Sequence, residues 1–375
     1  MKILLYKQYR RRIILMIDIR NLSLDPLRRV IVISDIHASL TLFKELLKKL
    51  NYTEEDYLFI NGDLCEKGLN SLDLVHYVQW MDKNLQRVFI TKGNCDVVFR
   101  HVFRGNDIGR QYLNTRPQSM MHEMIASTGQ SFSDGMSLTK ASSIFQDNFE
   151  QEIEWLESLP IAYETDDFII VHAAVDELWP NTEEADALYT PAFYEKGHSV
   201  DKPVIVGHWP VINYRTEELS THNPIIDLDN NIIAIDGGNQ IKASGQLNAL
   251  IINQGEYSFT YVDELKDSIT IKQTHNDSLG WMGSVNYPYY QIEPIEKEQY
   301  FTRCKNTNAN IQQWVKNEYI LENNDGYYCK EGVSTTTVSV NQGEEVYILD
   351  DNCAGYILIK RCDGIMGWIP KYCLY

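Results

Sequence analysis

Asp35 and His37 stand two apart in Val30-Ile31-Val32-Ile33-Ser34-Asp35-Ile36-His37, a carboxylate and an imidazole of the kind that grip a divalent ion. Four further candidate ligands follow in the same setting. Asp63 ends Tyr57-Leu58-Phe59-Ile60-Asn61-Gly62-Asp63, and Asn94 follows Val88-Phe89-Ile90-Thr91-Lys92-Gly93. His172 follows Phe168-Ile169-Ile170-Val171, and His208 follows Val204-Ile205-Val206-Gly207. Each comes after an apolar, mostly β-branched or aromatic run, where a buried strand should end. Ligands at the ends of several strands converge on one spot, and six of them suit two ions roughly 3.5–4 Å apart. Such a pair makes hydroxide from water at neutral pH and neutralises charge on phosphoryl oxygens. Asp35 and His37 would share one face of a continuing strand and grip one ion. Gly62 permits a sharp turn that brings Asp63 between the ions, so Asp63 is the candidate bridge. Asn94 offers a neutral amide oxygen, and His172 and His208 would complete the second ion.

The elements that must position these residues alternate. Val30–Ser34, Tyr57–Asn61 and Val88–Thr91 read as strands, with helical spacing over Leu40–Leu50 and Leu72–Met81 between them. This β-α-β-α-β order predicts a buried, partly parallel sheet with helices on its faces. Residues 97–160 read as a mainly helical insertion. Strands resume at Phe168–His172, Val204–His208, Ile232–Asp236 and Ala249–Asn253. Residues 266–317 lack a clear period and read as a connector. From 318 onward, close-set strands and Asn-Gly and Asp-Gly turns predict a small β-barrel over 318–375.

Composition narrows the function. The chain has 375 residues, 44% hydrophobic and 23% charged, as expected of a soluble globular protein of two domains. A net charge of -18 argues against duplex nucleic acid as partner, and no apolar run approaches the roughly 18 residues of a membrane span. Residues 1–29 are locally basic. Ile13-Ile14-Leu15-Met16 is too short for a secretion signal and is followed by Asp18 and Arg20, so an N-terminal basic extension with little order is expected. The seven cysteines include no CxxC, which predicts a reduced, cytoplasmic protein, with the four in 329–373 as small buried hydrophobes rather than a zinc site or disulfide.

The motifs SDIHAS, NGDLCEKG, KGNCD, WLESLP, IIVHAA, VGHWPV and IDGGNQIKASGQLNALII resemble those of the calcineurin-like metallophosphoesterases, over about residues 30–255. The closest branch in pattern is the bacterial phosphoprotein phosphatases, which include serine/threonine phosphatases and symmetric dinucleoside-tetraphosphate hydrolases. The resemblance implies a four-layer α/β/β/α sandwich over 30–265. It implies a first metal on Asp35, His37 and Asp63, and a second on Asp63, Asn94, His172 and His208, with Mn²⁺ foremost and Fe or Zn²⁺ as alternatives. Where the family has an acid-donating histidine and its supporting aspartate, this chain has Cys95 and Glu66. Lys67 replaces a phosphate-clamping arginine and loses its bidentate fork. Arg100, Arg104, Arg110 and Arg215 are alternative phosphate contacts. The last segment, 318–375, resembles bacterial SH3-like barrels, with Trp368, Tyr327, Tyr328 and Pro370 as candidates to line a groove for a peptide or cell-wall fragment.

These residues predict a dinuclear metal-dependent phosphoesterase acting through metal-bound hydroxide. Its substrate is a phosphorylated protein or nucleotide. A serine/threonine protein phosphatase-like enzyme stands first, a dinucleoside polyphosphate or nucleotide diester hydrolase second. A low-activity metal-binding scaffold that recruits partners through its SH3-like domain is the reading from a different class.

Overall fold

The computed structural model describes residues 18–116, 118–133, 135–266 and 268–374. The chain divides into two compact units. The first takes the chain to Trp209 together with Pro224–Ile241 and Leu247–Val262; the second takes Pro210–Asn223, Lys242–Gln246 and the chain from Asp263.

Among the described residues the first unit contains two sheets. In one, β2 (Val30–Ile33), β3 (Tyr57–Asn61) and β4 (Val88–Thr91) run parallel, and β10 (Leu247–Asn253) and β11 (Glu256–Val262) complete the order β11-β10-β2-β3-β4. Helices α1 (Leu40–Lys49) and α2 (Ser71–Asn84) are the crossovers of the parallel strands. Every residue of β2 is buried. Ile31 and Ile33 face the helices, packing with Phe43, Leu46 and Leu74. Val30 and Val32 face the other way, with Phe59 and Leu250, against Tyr163, Ile170, Ile205 and Ile233 of the other sheet. The period of two in a fully apolar strand thus serves two cores at once.

The other sheet has the order β1-β5-β6-β7-β9-β8: β1 (Ile19–Leu22), β5 (Ala162–Thr165), β6 (Ile169–Val171), β7 (Val204–Val206), β9 (Ile232–Ala234) and β8 (Ile225–Asp227). Strand β1 lies in the segment expected to be an extension. It pairs in parallel with β5, Ile19 opposite Ala162, so residues 18–29 belong to the fold; the expectation for 1–17 lies outside the described residues. Only Ile19 and Leu22 of this edge strand are partly covered, while Arg20 and Asn21 are exposed, so no alternation marked it among basic neighbours. Among the described residues, 97–160 carry five helices, α3 (Phe99–Phe103), α4 (Asp107–Thr115), α5 (Met120–Ser127), α6 (Leu138–Asn148) and α7 (Glu150–Ser158). Asn106, Ser119 and Ser137 cap three of them by accepting backbone N–H bonds.

The second unit is built of short strands. The supposed connector, 266–317, carries β12 (Ser268–Thr270), β13 (Ser284–Val285), β14 (Ile292–Lys297), β15 (Phe301–Asn306) and β16 (Ile311–Lys316). Its period was masked because Thr302 and Asn306 are buried alongside Phe301 and Cys304. After β17 (Ile320–Asn323), β18 (Gly326–Cys329) and β19 (Val333–Ser334) come β20 (Glu345–Asp350), β21 (Tyr356–Arg361) and β22 (Met366–Pro370). The sheets β12-β20-β21-β22, β14-β15-β16, β13-β19 and β17-β18 are all open, so no closed barrel forms among the described residues. Cys329, Cys353 and Cys373 are buried, Cys362 is exposed, and all seven cysteines are free. Among the described residues no helix is long and apolar enough to cross a membrane.

Candidate metal centre

All six candidate ligands meet in the first unit. They reach it by turns, not by strand alternation: β2 stops at Ile33, and Asp35 (φ 55°) and His37 (φ 47°) lie beyond it in left-handed backbone. The expected shared strand face is therefore replaced by a tight loop, held by Asp35 N–H and His37 N–H donating to the carbonyls of Gly62 and Asp63. Asp63 (φ 53°) and His208 (φ 64°) are left-handed as well. Such residues cost of order 1–3 kcal/mol each and persist where the surroundings impose them. Glycines make the close approach: a Cβ on Gly93 would lie 2.0 Å from Asp63 N, one on Gly62 2.7 Å from His172 Nδ1, and one on Gly207 2.2 Å from Asp35 Oδ2.

Asp63 stands between two groups of ligands. Its Oδ2 lies 3.8 Å from His37 Nε2 and its Oδ1 lies 3.4 Å from His172 Nε2. Asn94 Oδ1 lies 3.0 Å from His172 Nε2 and 2.9 Å from His208 Nδ1. His37 Nε2 is 3.9 Å from Asp35 Oδ1. Backbone carbonyls orient two of the rings: His37 Nδ1 meets Cys65 O at 3.2 Å and His172 Nδ1 meets Asn61 O at 3.0 Å. That leaves Nε2 of each pointing inward, as outer partners do for metal-binding histidines.

The electrostatics call for cations. Burial, then the carboxylates of Asp236 and Asp63, push the Asp35 carboxyl well above its usual range. Burial works in the same direction on Asp63, but the imidazoles of His172, His37 and His208 pull it below. Burial lowers His37, and burial with the neighbouring His172 lowers His208 to about 4, so both offer neutral lone pairs at pH 7. His37 Nε2 is buried without a hydrogen-bond partner. Three buried carboxylates with neutral imidazoles aimed among them fit a pair of divalent ions. Donor atoms of Asp35, Asp63 and His172, and likewise of His37, Asp63 and Cys95, lie within 4.8 Å of one another; Asp63 belongs to both groups.

Around the ligands, Glu66 is buried, accepting from Tyr112 Oη–H at 2.8 Å and from Met120 N–H at 3.1 Å; burial raises its carboxyl to about 7. Cys95 is 5% exposed, and its N–H donates to Asp63 Oδ1 at 2.8 Å. Burial and the nearby Asp63 push its thiol up. Lys67 is half-buried, in left-handed backbone, within electrostatic reach of His37, Glu66 and Cys95.

Three of the four candidate arginines are engaged elsewhere, and Arg104 is exposed at the end of α3. Arg100 gives its Nε to Glu157 at 2.7 Å and its Nη1 to Glu184 at 3.0 Å, so its fork is committed to carboxylates. Arg110 Nη1 donates to Met136 O. Arg215 lies in the second unit, paired with Glu218 and the Asn223 carbonyl. Trp368, expected in a groove, is fully buried: its Nε1 donates to Ser334 O at 2.7 Å, with Phe301 and Tyr319 edge-on to its ring. Tyr327 is 39% exposed and lines a cavity of about 300 Å³ with Ile292, Glu293, Pro294, Thr307 and Asp325; Tyr328 and Pro370 are half-buried.

Asp96 was missed. Buried, it accepts four backbone N–H bonds at 2.8–3.1 Å, from Asp63, Leu64, Cys65 and Gly93, tying the Asp63 and Asn94 loops together. An aspartate two residues after Asn94 reads as turn chemistry, and only the fold shows what it ties. Asp236, within the IDGGNQ motif but not singled out there, is fully buried, and its charge acts on Asp35.

A family model described as calcineurin-like phosphoesterase matches residues 28–231, more than half of the chain. A symmetrical bis(5'-nucleosyl)-tetraphosphatase of Buchnera aphidicola subsp. Schizaphis graminum is 39% identical over 74 residues, 20% of this chain and 26% of that protein. One of Vibrio parahaemolyticus is 24% identical over 149 residues, 40% of this chain and 45% of that protein. The chain thus spans less than half the length of these curated relatives. A solved serine/threonine phosphatase of Saccharomyces cerevisiae aligns at 13% identity and a TM-score of 0.39, covering 66% of this chain and 84% of that one.

Proposed function

The chain belongs to the calcineurin-like phosphoesterases, and from that membership we propose that it is a dinuclear metal-dependent hydrolase of phosphate esters or anhydrides. The observation that carries this is Asp63, whose two oxygens face different ligand groups. Asp35, His37 and Asp63 would hold one ion, and Asp63, Asn94, His172 and His208 the other; Mn²⁺, Fe and Zn²⁺ all suit such a donor set. Two such ions supply an activated water and neutralise phosphoryl charge. The chain's own residues do the rest. Lys67 offers a point charge to a phosphoryl oxygen. Asn94 and the carbonyl-oriented imidazoles fix the geometry, and Asp96 holds both loops.

The leaving-group side favours easy chemistry. Cys95 stands at the position where the family has its imidazole acid, and general acid catalysis is worth about 10²–10⁴-fold. Substrates whose leaving group is itself a weak base, such as a phosphoanhydride or an aryl ester, suffer least from its loss. This supports a dinucleoside tetraphosphate, the substrate in the names of the relatives, ahead of a phosphoserine protein. We assign the hydrolase to 30–265, including the 97–160 insertion. For 318–375 we propose an SH3-like, partner-binding role, supported by the exposed Tyr327 and the cavity beside it. The free thiols suit a reducing cytoplasm.

The test is turnover with Mn²⁺ on p-nitrophenyl phosphate, its bis-diester, a phosphopeptide and a dinucleoside tetraphosphate. Activity on the tetraphosphate and aryl esters that vanishes in Asp63→Asn is the expected result. Turnover no greater than that of Asp63→Asn on all four would leave the scaffold reading in its place.

A further inference from the structure

We infer that Cys95 is itself a metal ligand, its Sγ joining His37 and Asp63 around one ion and giving the centre a preference for softer cations such as Zn²⁺ over Mn²⁺. The inference rests on the two-metal reading above. Donor atoms of His37, Asp63 and Cys95 lie within 4.8 Å of one another, and all three side chains are buried. Ligands of a tetrahedral zinc ion stand roughly 3.5 Å apart, so closure asks for movement of about an ångström. Two features prepare the site. The N–H of Cys95 is bonded to Asp63 Oδ1 at 2.8 Å, which fixes the cysteine against the bridging carboxylate. His37 Nε2 is fully buried without a hydrogen-bond partner, while its Nδ1 is held by the Cys65 carbonyl. An oriented imidazole with an unused inner nitrogen is what a metal-binding histidine presents. The Asn94 side-chain amide also lies 3.6 Å from the sulfur, a donor suited to a thiolate.

Thiolate is a soft ligand that selects zinc and iron, whereas carboxylate and carbonyl oxygens suit manganese and magnesium. On binding, the S–H bond breaks, the proton leaves to solvent, and the sulfur lone pair forms the coordinate bond; nothing is oxidised or reduced. A sulfur so engaged no longer protonates a leaving group. The position that supplies the family's acid would here tune the metal instead.

Cobalt tests this without turnover. Metal-free protein is loaded with Co²⁺, and spectra of wild type, Cys95→Ser and Cys95→Ala are compared. The expected result is a thiolate-to-cobalt charge-transfer band in the near ultraviolet of wild type only, with visible d–d bands in all three. Wild-type d–d bands without the charge-transfer band overturn the inference, as does a band that survives both substitutions. No d–d band even in wild type overturns the metal-centre reading itself. In competition, the Zn²⁺-to-Mn²⁺ affinity ratio falls at least about tenfold in Cys95→Ser, the scale on which even outer partners act. An unchanged ratio removes the claimed selectivity.

Discussion

The metal centre and the β-rich unit use conspicuous residues in opposite ways. Four of the six candidate ligands, Asp35, His37, Asp63 and His208, sit in left-handed backbone beyond strand ends, as do Glu66 and Lys67. Trp368, the most conspicuous aromatic of the second unit, sits in the regular strand β22, fully buried and hydrogen-bonded. Backbone strain without a local packing reason marks a site, because the fold must sustain it for something. A large aromatic in relaxed backbone marks a core. The difference separates residues that were chosen for chemistry from residues chosen for volume.

The comparison can be broken from either side. If Trp368 is core, Trp368→Ala lowers stability by about 3–5 kcal/mol in denaturant unfolding, while Tyr327→Ala stays within about 0.5 kcal/mol. Equal, small effects would return Trp368 to a surface groove. In the metal centre the analogous change adds atoms. Gly93→Ala drives a Cβ into the Asp63 backbone and should cut metal affinity by about 10–100-fold in equilibrium dialysis. Near-normal affinity would mean that the close approach is dispensable.

Glu66 sharpens the contrast through pH. Burial raises its carboxyl to about 7 in the folded chain, above its value unfolded. Its contribution is therefore fully present below about pH 4.5 and is lost as pH rises towards 7, a change on the order of 3 kcal/mol. Glu66→Gln does not titrate, so the stability of wild type relative to this variant should fall across that window and level off above it. A difference that stays flat from pH 4 to 8 would show that Glu66 ionises normally. Lys67→Ala is the mildest change. Losing one half-buried point charge should raise KM by about tenfold or less with little change in kcat. A loss confined to kcat would assign Lys67 to the transition state instead.

The same contrast explains what the sequence disclosed. Val30–Ile33, Tyr57–Asn61 and Val88–Thr91 were legible because strands buried on both faces are unbroken apolar runs. The ligands were legible because each follows such a run. Asp96 was not, since its four backbone partners lie at Gly93 and at 63–65, over thirty residues away. Strand β1 was lost among arginines, β14 because it is exposed beyond Ile292, and β15 and β16 because polar side chains share their buried face. Trp368 was misplaced because an indole suits a groove and a core equally well; only its neighbours decide.

The central claim is that Asp63 joins two ions in one centre. The direct measurement is metal content and affinity of wild type and Asp63→Asn, loaded with Mn²⁺ under identical conditions. The account predicts about two ions per wild-type chain, with the variant holding at most one and more weakly. Two ions retained by Asp63→Asn at unchanged affinity would contradict it.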